Sequence, residues 1–188
     1  MLTALSRVRE IVPLGKFVVL DTETTGIDFR AEIVQIGIID AAGATLVDTL
    51  VKPTRPIPSE ATAIHGITDA MVAAAPTIAD IADGICSAIR GRVVVIYNAE
   101  YDMRLLSQSS RSLGMDTNWR DQAQRWVCAM LAYAEHRGEP GRRYGEFKWH
   151  RLEVAAGYEG IDVGRSHTAL DDCRTTLALV RKLAGLPG

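Results

Sequence analysis

The sequence has few cysteines and no long apolar run. Cys86, Cys128 and Cys173 are the only cysteines among 188 residues, and no two of them form a C-x-x-C motif. Three widely spaced cysteines argue against a disulfide framework and against a zinc site of the usual spacing. Charged residues interrupt the segment 1–15, unlike a signal peptide, and no apolar run approaches the length of a membrane-spanning helix. We therefore expect a cytoplasmic protein without membrane contact.

The chain also lacks a strong net charge and the common phosphate-binding loops. Its formal net charge of -2 provides no global basic field. Binding of a polyanion must then depend on a local basic patch, or on metal ions that reverse the sign of an acidic site. Glycine-rich motifs of the P-loop or G-x-G-x-x-G kind do not follow any predicted strand, which excludes the two commonest nucleotide-binding alternatives.

The apolar pattern predicts one α/β domain after a short lead-in segment. Residues 1–15 carry apolar side chains at helical spacing, so we expect an amphipathic helix that docks on its own domain. Residues 16–188 form that domain, with a mixed sheet flanked by helices. Its predicted strands cover 17–22, 32–41, 44–51, 92–97 and 126–128, and its predicted helices cover 60–75, 77–90, 100–113, 129–137, 148–156 and 169–183.

Two carboxylates end the first predicted strand. Asp21 and Glu23 lie in D-T-E-T-T-G, and the strand period of two places both side chains on one face of the sheet. Neighbouring carboxylates repel each other unless a cation lies between them, and oxygen ligands suit Mg²⁺ or Mn²⁺. For this pair alone, a turn-capping Asp21 and a solvated Glu23 are an equally good interpretation.

Two further segments carry acidic residues near helix starts. Asp102 lies in N-A-E-Y-D after the fourth strand, where an aspartate commonly interacts with the helix dipole. In S-H-T-A-L-D-D, Thr168 and Asp171 have the spacing of a capping box, which gives Asp171 a structural role. Asp172 then projects toward a different face, and His167 precedes the helix on a segment able to approach the site. Taken alone, such a histidine is more often a structural hydrogen-bonding residue.

Together the three motifs resemble those of the DEDDh exonucleases, the DnaQ-like proofreading family. The resemblance covers residues 16–184 and keeps the family's motif order. It implies an RNase H-like fold with a five-stranded mixed sheet, and a 3′-to-5′ exonuclease that releases nucleoside 5′-monophosphates from DNA or RNA. It further implies two divalent cations, Mg²⁺ or Mn²⁺, held by Asp21, Glu23 and Asp172 directly and by Asp102 through water. His167 is the implied general base.

The same resemblance implies a set of substrate-binding residues. The segment E-A-T-A-I-H-G-I-T is similar to the stretch that meets the terminal nucleotide in the family. Glu60 is then the candidate for the 3′-hydroxyl and His65 the candidate for sugar or base. Thr24 and Thr25 would line the same end, and Asn98 of N-A-E-Y-D completes the set. A capped helix followed by a glycine turn is the structural alternative for the segment that carries Glu60 and His65.

Other features leave alternatives open. Tyr97 stands where the family often has histidine, and Tyr101 replaces a frequent phenylalanine, which affects base stacking rather than chemistry. Residues 142–151, R-R-Y-G-E-F-K-W-H-R, suit phosphate contacts and base stacking on a single strand. The alternative is a charged loop leading into a helix whose Trp149 packs inward.

Two other function classes compete with an exonuclease. An inactive nucleic-acid-binding module would lack an acidic residue or the histidine, and all are present. A two-metal phosphohydrolase of free nucleotides would not release mononucleotides from an oligomer. The motifs do not decide between DNA and RNA. Single-stranded or 3′-ended nucleic acid is the expected partner, and the choice between monomer and homodimer stays open. Because no extended tail follows the last predicted helix, we expect a free-standing enzyme rather than one bound stably to a polymerase.

Overall fold

A single five-stranded mixed sheet organises the chain. The computed structural model describes residues 2–143, 145–163 and 167–186. Its strands are β1 (Phe17–Thr24), β2 (Ile33–Asp40), β3 (Thr45–Leu50), β4 (Val93–Ile96) and β5 (Arg125–Cys128), in the spatial order β3-β2-β1-β4-β5. β1 pairs antiparallel with β2 and parallel with β4. The sheet confirms the fold class predicted from the motifs.

Helices cover both faces of the sheet. They are α1 (Ala4–Ile11), α2 (Ser59–His65), α3 (Asp69–Val72), α4 (Ile78–Ile89), α5 (Ala99–Ser112), α6 (Ala129–Arg137), α7 (Leu152–Tyr158) and α8 (Ala169–Leu183). Among the described residues, no helix has the length and apolarity required to cross a membrane. The predicted lead-in segment forms α1, which packs on α6, where Glu135 accepts hydrogen bonds from the backbone N–H groups of Ala4 and Leu5 at 3.1 and 3.0 Å.

One predicted helix boundary is wrong. The helix predicted to begin at Lys148 begins at Leu152. The Lys148 N–H donates to the Glu139 carbonyl at 2.9 Å, and Phe147 pairs with Pro140. These residues are therefore held in a hairpin, which removes them from the helix.

The central strand divides the core into two apolar layers. Along β1, Phe17 and Val19 face the layer that contains α1, α6 and α8. Val18 and Leu20 face the layer that contains α4 and α5. Because side chains alternate along a strand, Asp21 continues the first face and the next residue continues the second. The carboxyl end of β1 can therefore present functional groups to both layers.

Candidate active site

The first two acidic residues lie at the carboxyl end of β1. Asp21 and Glu23 occupy the same face of the strand, as the period of two predicts. Burial raises the pKa of Asp21 well above its ordinary value, and the charges of Asp102, Asp172 and Glu23 add to the effect. Burial, followed by the charges of Asp172 and Asp102, raises the pKa of Glu23 to about 8. The four carboxyl groups therefore share one electrostatic environment.

The start of α5 supplies the third acidic residue. Asp102 lies in the first turn of α5, just beyond β4, and is only 4% exposed. The Thr22 hydroxyl donates to Asp102 Oδ1 at 2.7 Å. Burial raises the pKa of Asp102 to about 7, although the hydrogen bond from Thr22 acts in the opposite direction. The sequence does not single out Thr22, because its position between two acidic residues gives no indication of a partner on α5.

The start of α8 supplies the fourth acidic residue, Asp172. Thr168 is the N-cap residue, and its hydroxyl accepts from the Asp171 N–H at 3.3 Å. The Asp171 carboxylate accepts from the Thr168 hydroxyl at 3.0 Å and pairs with Arg174 at 2.9 Å, so Asp171 has a structural role at the start of this helix. Asp172 instead faces the other acidic residues. Burial raises the pKa of Asp172 to about 6, while His167 beside it lowers this pKa.

β2 positions the N-terminus of α8 beside these carboxylates. A Cβ atom on Gly37 would lie 2.9 Å from the backbone of Ala169 and Leu170, so only glycine permits this approach. The Gln35 side-chain oxygen accepts from the Ala169 N–H at 3.2 Å. Sequence reasoning missed Gln35 and Gly37, although a glycine inside an isoleucine-rich strand is itself a signal of close backbone approach.

His167 lies immediately before α8 in a left-handed conformation, with φ of 68°. Residues with a Cβ atom rarely adopt this conformation, and those that do are often found at functional sites. The imidazole and the carboxylates of Glu23 and Asp172 offer ligand atoms that all lie within 4.8 Å of one another. The structure therefore brings all five predicted catalytic residues to one end of the sheet.

The predicted substrate-binding threonines have internal hydrogen bonds. The Thr24 hydroxyl lies 2.6 Å from the Tyr101 hydroxyl, which donates to the Gly26 carbonyl at 2.8 Å. The Thr25 hydroxyl accepts from the Glu32 N–H at 3.0 Å. These bonds fix the turn that follows β1, beside the acidic site. Contact of Thr24 and Thr25 with a substrate stays a prediction.

The other predicted substrate-binding residues lie on α2 and before α5. His65 Nδ1 accepts from the Ile67 N–H at 3.0 Å, which leaves Nε2 protonated and able to donate to the Thr24 carbonyl at 3.2 Å. His65 is thus held in a neutral tautomer that attaches α2 to the end of β1. Glu60 and Asn98 are exposed. The substrate roles of these residues also stay predictions.

This arrangement fits a divalent cation. Burial raises the pKa values of all four carboxyl groups, and repulsion from the neighbouring site carboxylates raises those of Asp21 and Glu23 further. A cation among them would remove that repulsion, and carboxylate oxygens are preferred ligands of Mg²⁺ and Mn²⁺.

Related sequences identify the family of the chain. The RNase_T model, described as Exonuclease, matches residues 18–180. The uncharacterised exonuclease CP81 of Escherichia phage 186 is 52% identical over 168 residues, which is 88% of this chain and 86% of the phage protein. Exodeoxyribonuclease 10 of Escherichia coli K12 is 32% identical over 174 residues, which is 90% of this chain and 69% of that enzyme. The chain spans only 25% of a DNA polymerase III subunit epsilon-like protein of Rhodobacter capsulatus, at 44% identity.

Solved structures agree with the fold. Exonuclease X, solved in complex with 5′ overhanging duplex DNA, superposes with a TM-score of 0.63 at 30% identity, over 90% of this chain and 91% of that one. Exonuclease I of E. coli, solved with a dA16 oligonucleotide, has a TM-score of 0.69 at 23% identity, over 90% of this chain and 41% of that one, which supports the fold alone. Exonucleases of this fold depend on divalent metal ions. The chain therefore belongs to the RNase_T exonuclease family and is a nuclease with an RNase H-like fold.

Proposed function

We propose that this protein is a 3′-to-5′ exonuclease that hydrolyses the terminal phosphodiester of DNA and releases nucleoside 5′-monophosphates. The observation that carries the proposal is the convergence of Asp21, Glu23, Asp102 and Asp172 with His167 at the carboxyl end of β1. DNA is the proposed substrate because exodeoxyribonuclease 10 is 32% identical and because Exonuclease X, at 30% identity, was solved with DNA.

The acidic residues would hold two Mg²⁺ or Mn²⁺ ions. Asp21, Glu23 and Asp172 are the proposed direct ligands, and Asp102 the ligand through water. When bound, the cations neutralise charge on the phosphate and lower the pKa of the attacking water. The chain itself keeps four repelling carboxylates in place. β1 fixes two of them, the hydrogen bond from Thr22 fixes Asp102 at 2.7 Å, and the capped N-terminus of α8 fixes Asp172.

His167 would act as the general base. Its ring lies beside the carboxylates of Glu23 and Asp172, so a water at this edge of the site would be in reach of a ring nitrogen. Because His167 is exposed, the proton that it accepts can pass to solvent. A positioned base of this kind contributes a factor of about 10² to 10⁴ to the rate.

A cleavage assay tests the proposal. Single-stranded DNA, duplex DNA and RNA of one sequence, labelled at either end, are incubated with Mg²⁺, Mn²⁺ or EDTA. We expect 5′-labelled DNA to shorten stepwise and 3′-labelled DNA to release a labelled mononucleotide, in both cases only with a cation. Asp21→Asn should abolish both products, whereas Asp171→Asn, adjacent to Asp172 in α8, should retain them. Release of nucleotides from the 5′ end, or hydrolysis of free nucleotides alone, would refute the proposed function.

A further inference from the structure

A small β-hairpin, whose described residues are 139–143 and 145–148, lies between α6 and α7. The Lys148 N–H donates to the Glu139 carbonyl at 2.9 Å, and the Gly141 N–H donates to the Glu146 carbonyl at 2.8 Å. We refer to the described residues of 139–151 as the hairpin segment. Its fold is local and hydrogen-bonded, so it presents its side chains in a defined arrangement.

The hairpin segment exposes cations and aromatic rings together. The side chains of Arg143, Lys148 and Arg151 are 84%, 58% and 86% exposed. Phe147 and Trp149 are 42% and 62% exposed. Inward packing of Trp149, the structural alternative raised by the sequence, is therefore wrong. Since large aromatic side chains are usually buried in a core, exposed rings between cations indicate a binding surface.

The charge of the hairpin segment is opposite to that of the site. The hairpin segment contains four cationic and two acidic residues, whereas the whole chain has a formal net charge of -2. Lys148 pairs with Glu139 at 3.3 Å, whereas Arg143 and Arg151 make long, exposed pairs, at 3.9 Å to Glu146 and at 4.0 Å to Glu153 of α7. Such pairs contribute little energy and are readily replaced by a phosphate.

Tyr97 anchors the hairpin segment beside the site. The buried Tyr97 hydroxyl donates to the His150 carbonyl at 2.8 Å. Tyr97 directly follows β4 and precedes Asn98, so it lies at the edge of the sheet from which α5 starts. A nucleic-acid strand held at the site can therefore continue onto the hairpin segment.

We propose that the hairpin segment binds the single strand upstream of the scissile end, and that Tyr97 is the residue that positions it. This inference rests on the proposed exonuclease function and assigns a second contact region to it. Arg142, Arg143 and Arg151 would contact phosphates, and Trp149 would stack on a base. Cations interleaved with aromatic rings match a single-stranded nucleic acid, whose phosphates and bases alternate in the same way.

A substrate-length series tests the assignment. kcat/KM is measured from a dinucleotide to single strands of about 12 nucleotides, within the contact length of one domain. We expect the wild-type value to rise with length. Trp149→Ala should lower kcat/KM by about 5- to 100-fold on the longest strands and least on the dinucleotide, whereas Trp149→Tyr should retain most of the rise with length.

The double variant R142A/R143A should also flatten the salt dependence of kcat/KM, by about 0.7 in the logarithmic slope per lost phosphate contact. Arg92→Ala, an exposed cation at the opposite end of β4, is the matched control.

Tyr97→Phe tests the positioning role, because it removes only the hydroxyl. We expect Tyr97→Phe to reduce the rise of kcat/KM with substrate length. Adding R142A/R143A to this variant should then lower kcat/KM by a smaller factor than R142A/R143A does in the wild type. A purely structural role for Tyr97 would instead give independent, additive effects. Unchanged length and salt dependence in all variants, or equal losses on every length, would overturn the inference. If the wild type cleaves none of these substrates, the proposed function fails, and oligonucleotide binding in EDTA, compared between wild type and variants, then decides the role of the hairpin segment.

Discussion

At the scale of single residues, two adjacent aspartates of α8 have different roles. Asp172 lies half-buried among the acidic residues, whereas Asp171 pairs with Arg174 at 2.9 Å. Asp172→Asn should remove a metal ligand, and with it most of the increase in Tm that Mg²⁺ produces by binding the folded state. Asp171→Asn should cost about 0.3–1 kcal/mol of unfolding free energy and keep the response to Mg²⁺. Thermal unfolding in EDTA and in Mg²⁺ measures both, and equal metal responses would contradict the assignment of Asp172.

The second prediction at the scale of single residues concerns the role of His167 as general base. His167→Ala should lower the single-turnover cleavage rate by about 10²-fold or more, while the Mg²⁺-induced rise in Tm remains, because a base acts in the transition state and not in metal binding. His136→Ala, an exposed histidine of α6, is the control. His167→Gly should unfold at a higher temperature than His167→Ala, since glycine adopts a φ of 68° without strain. A His167→Ala protein that cleaves at the wild-type rate across pH would end the assignment as base.

At the scale of elements, the site depends on how closely α8 approaches β2. Gly37→Ala should displace α8, because its Cβ atom would lie 2.9 Å from the helix backbone. We expect a loss of about 1–3 kcal/mol of unfolding free energy, together with a weaker metal response. Gly84→Ala in α4 is the matched control, since its Cβ atom would meet nothing within 4 Å, and it should stabilise the helix by about 0.5–1 kcal/mol. Comparable losses for both variants would show that Gly37 has no special role.

The elements themselves were largely predictable from the sequence, because strands and amphipathic helices have local periodicities. The sequence predicts β1 over 17–22, where the strand covers Phe17–Thr24, and it predicts the last helix with the bounds of α8. Contacts between elements were not predictable in this way. The hydrogen bond from Ala169 to Gln35 joins residues 134 positions apart, and that from Tyr97 to the His150 carbonyl joins residues 53 apart. Periodicity shows that a helix packs on a sheet, but not which strand residue caps it.

The candidate site shows the same division. Asp21 and Glu23 could be placed on one face of β1 from the strand period alone. That Asp102 and Asp172 would join them required the family resemblance, since each lies on a different helix. The left-handed backbone of His167 had no sequence signal, because this conformation is set by the packing that surrounds it.

At the scale of the whole molecule, charge is separated rather than excessive. The buried acidic site and the exposed basic hairpin segment nearly cancel in a formal net charge of -2. A polyanion would be repelled by the acidic site alone. Bound cations reverse the sign of that site, so the same molecule can hold a phosphate there and further phosphates along the hairpin segment. Metal binding is therefore expected to precede productive substrate binding.

The buried carboxyl groups also make the stability of the whole molecule depend on pH. In the folded protein the pKa values of Asp172, Asp102 and Glu23 are about 6, about 7 and about 8, whereas carboxyl groups of an unfolded chain titrate near pH 4, about the model-peptide value. Between these limits the folded state binds more protons than the unfolded state, so the unfolding free energy of the metal-free protein falls as pH rises. We expect Tm in EDTA to decrease from about pH 5 to about pH 8. Because cations compete with these protons, the Tm increase caused by Mg²⁺ should be larger at the higher pH.

Substitution separates this site effect from general titration of the surface. Asp102→Asn removes one buried ionisable group and keeps its shape, so the decrease of Tm with pH in EDTA should become shallower, and the pH dependence of the Mg²⁺ response should weaken with it. Asp171→Asn changes the charge of the chain equally, but Asp171 pairs with Arg174 and makes only the smallest contribution to the raised pKa of Asp172, so this variant should keep most of the wild-type slope. Differential scanning calorimetry over the pH series measures both slopes. A metal-free Tm that rises with pH through this range would mean that the four carboxyl groups are already ionised and stabilised without a cation, which would contradict the electrostatic basis of the proposed metal site.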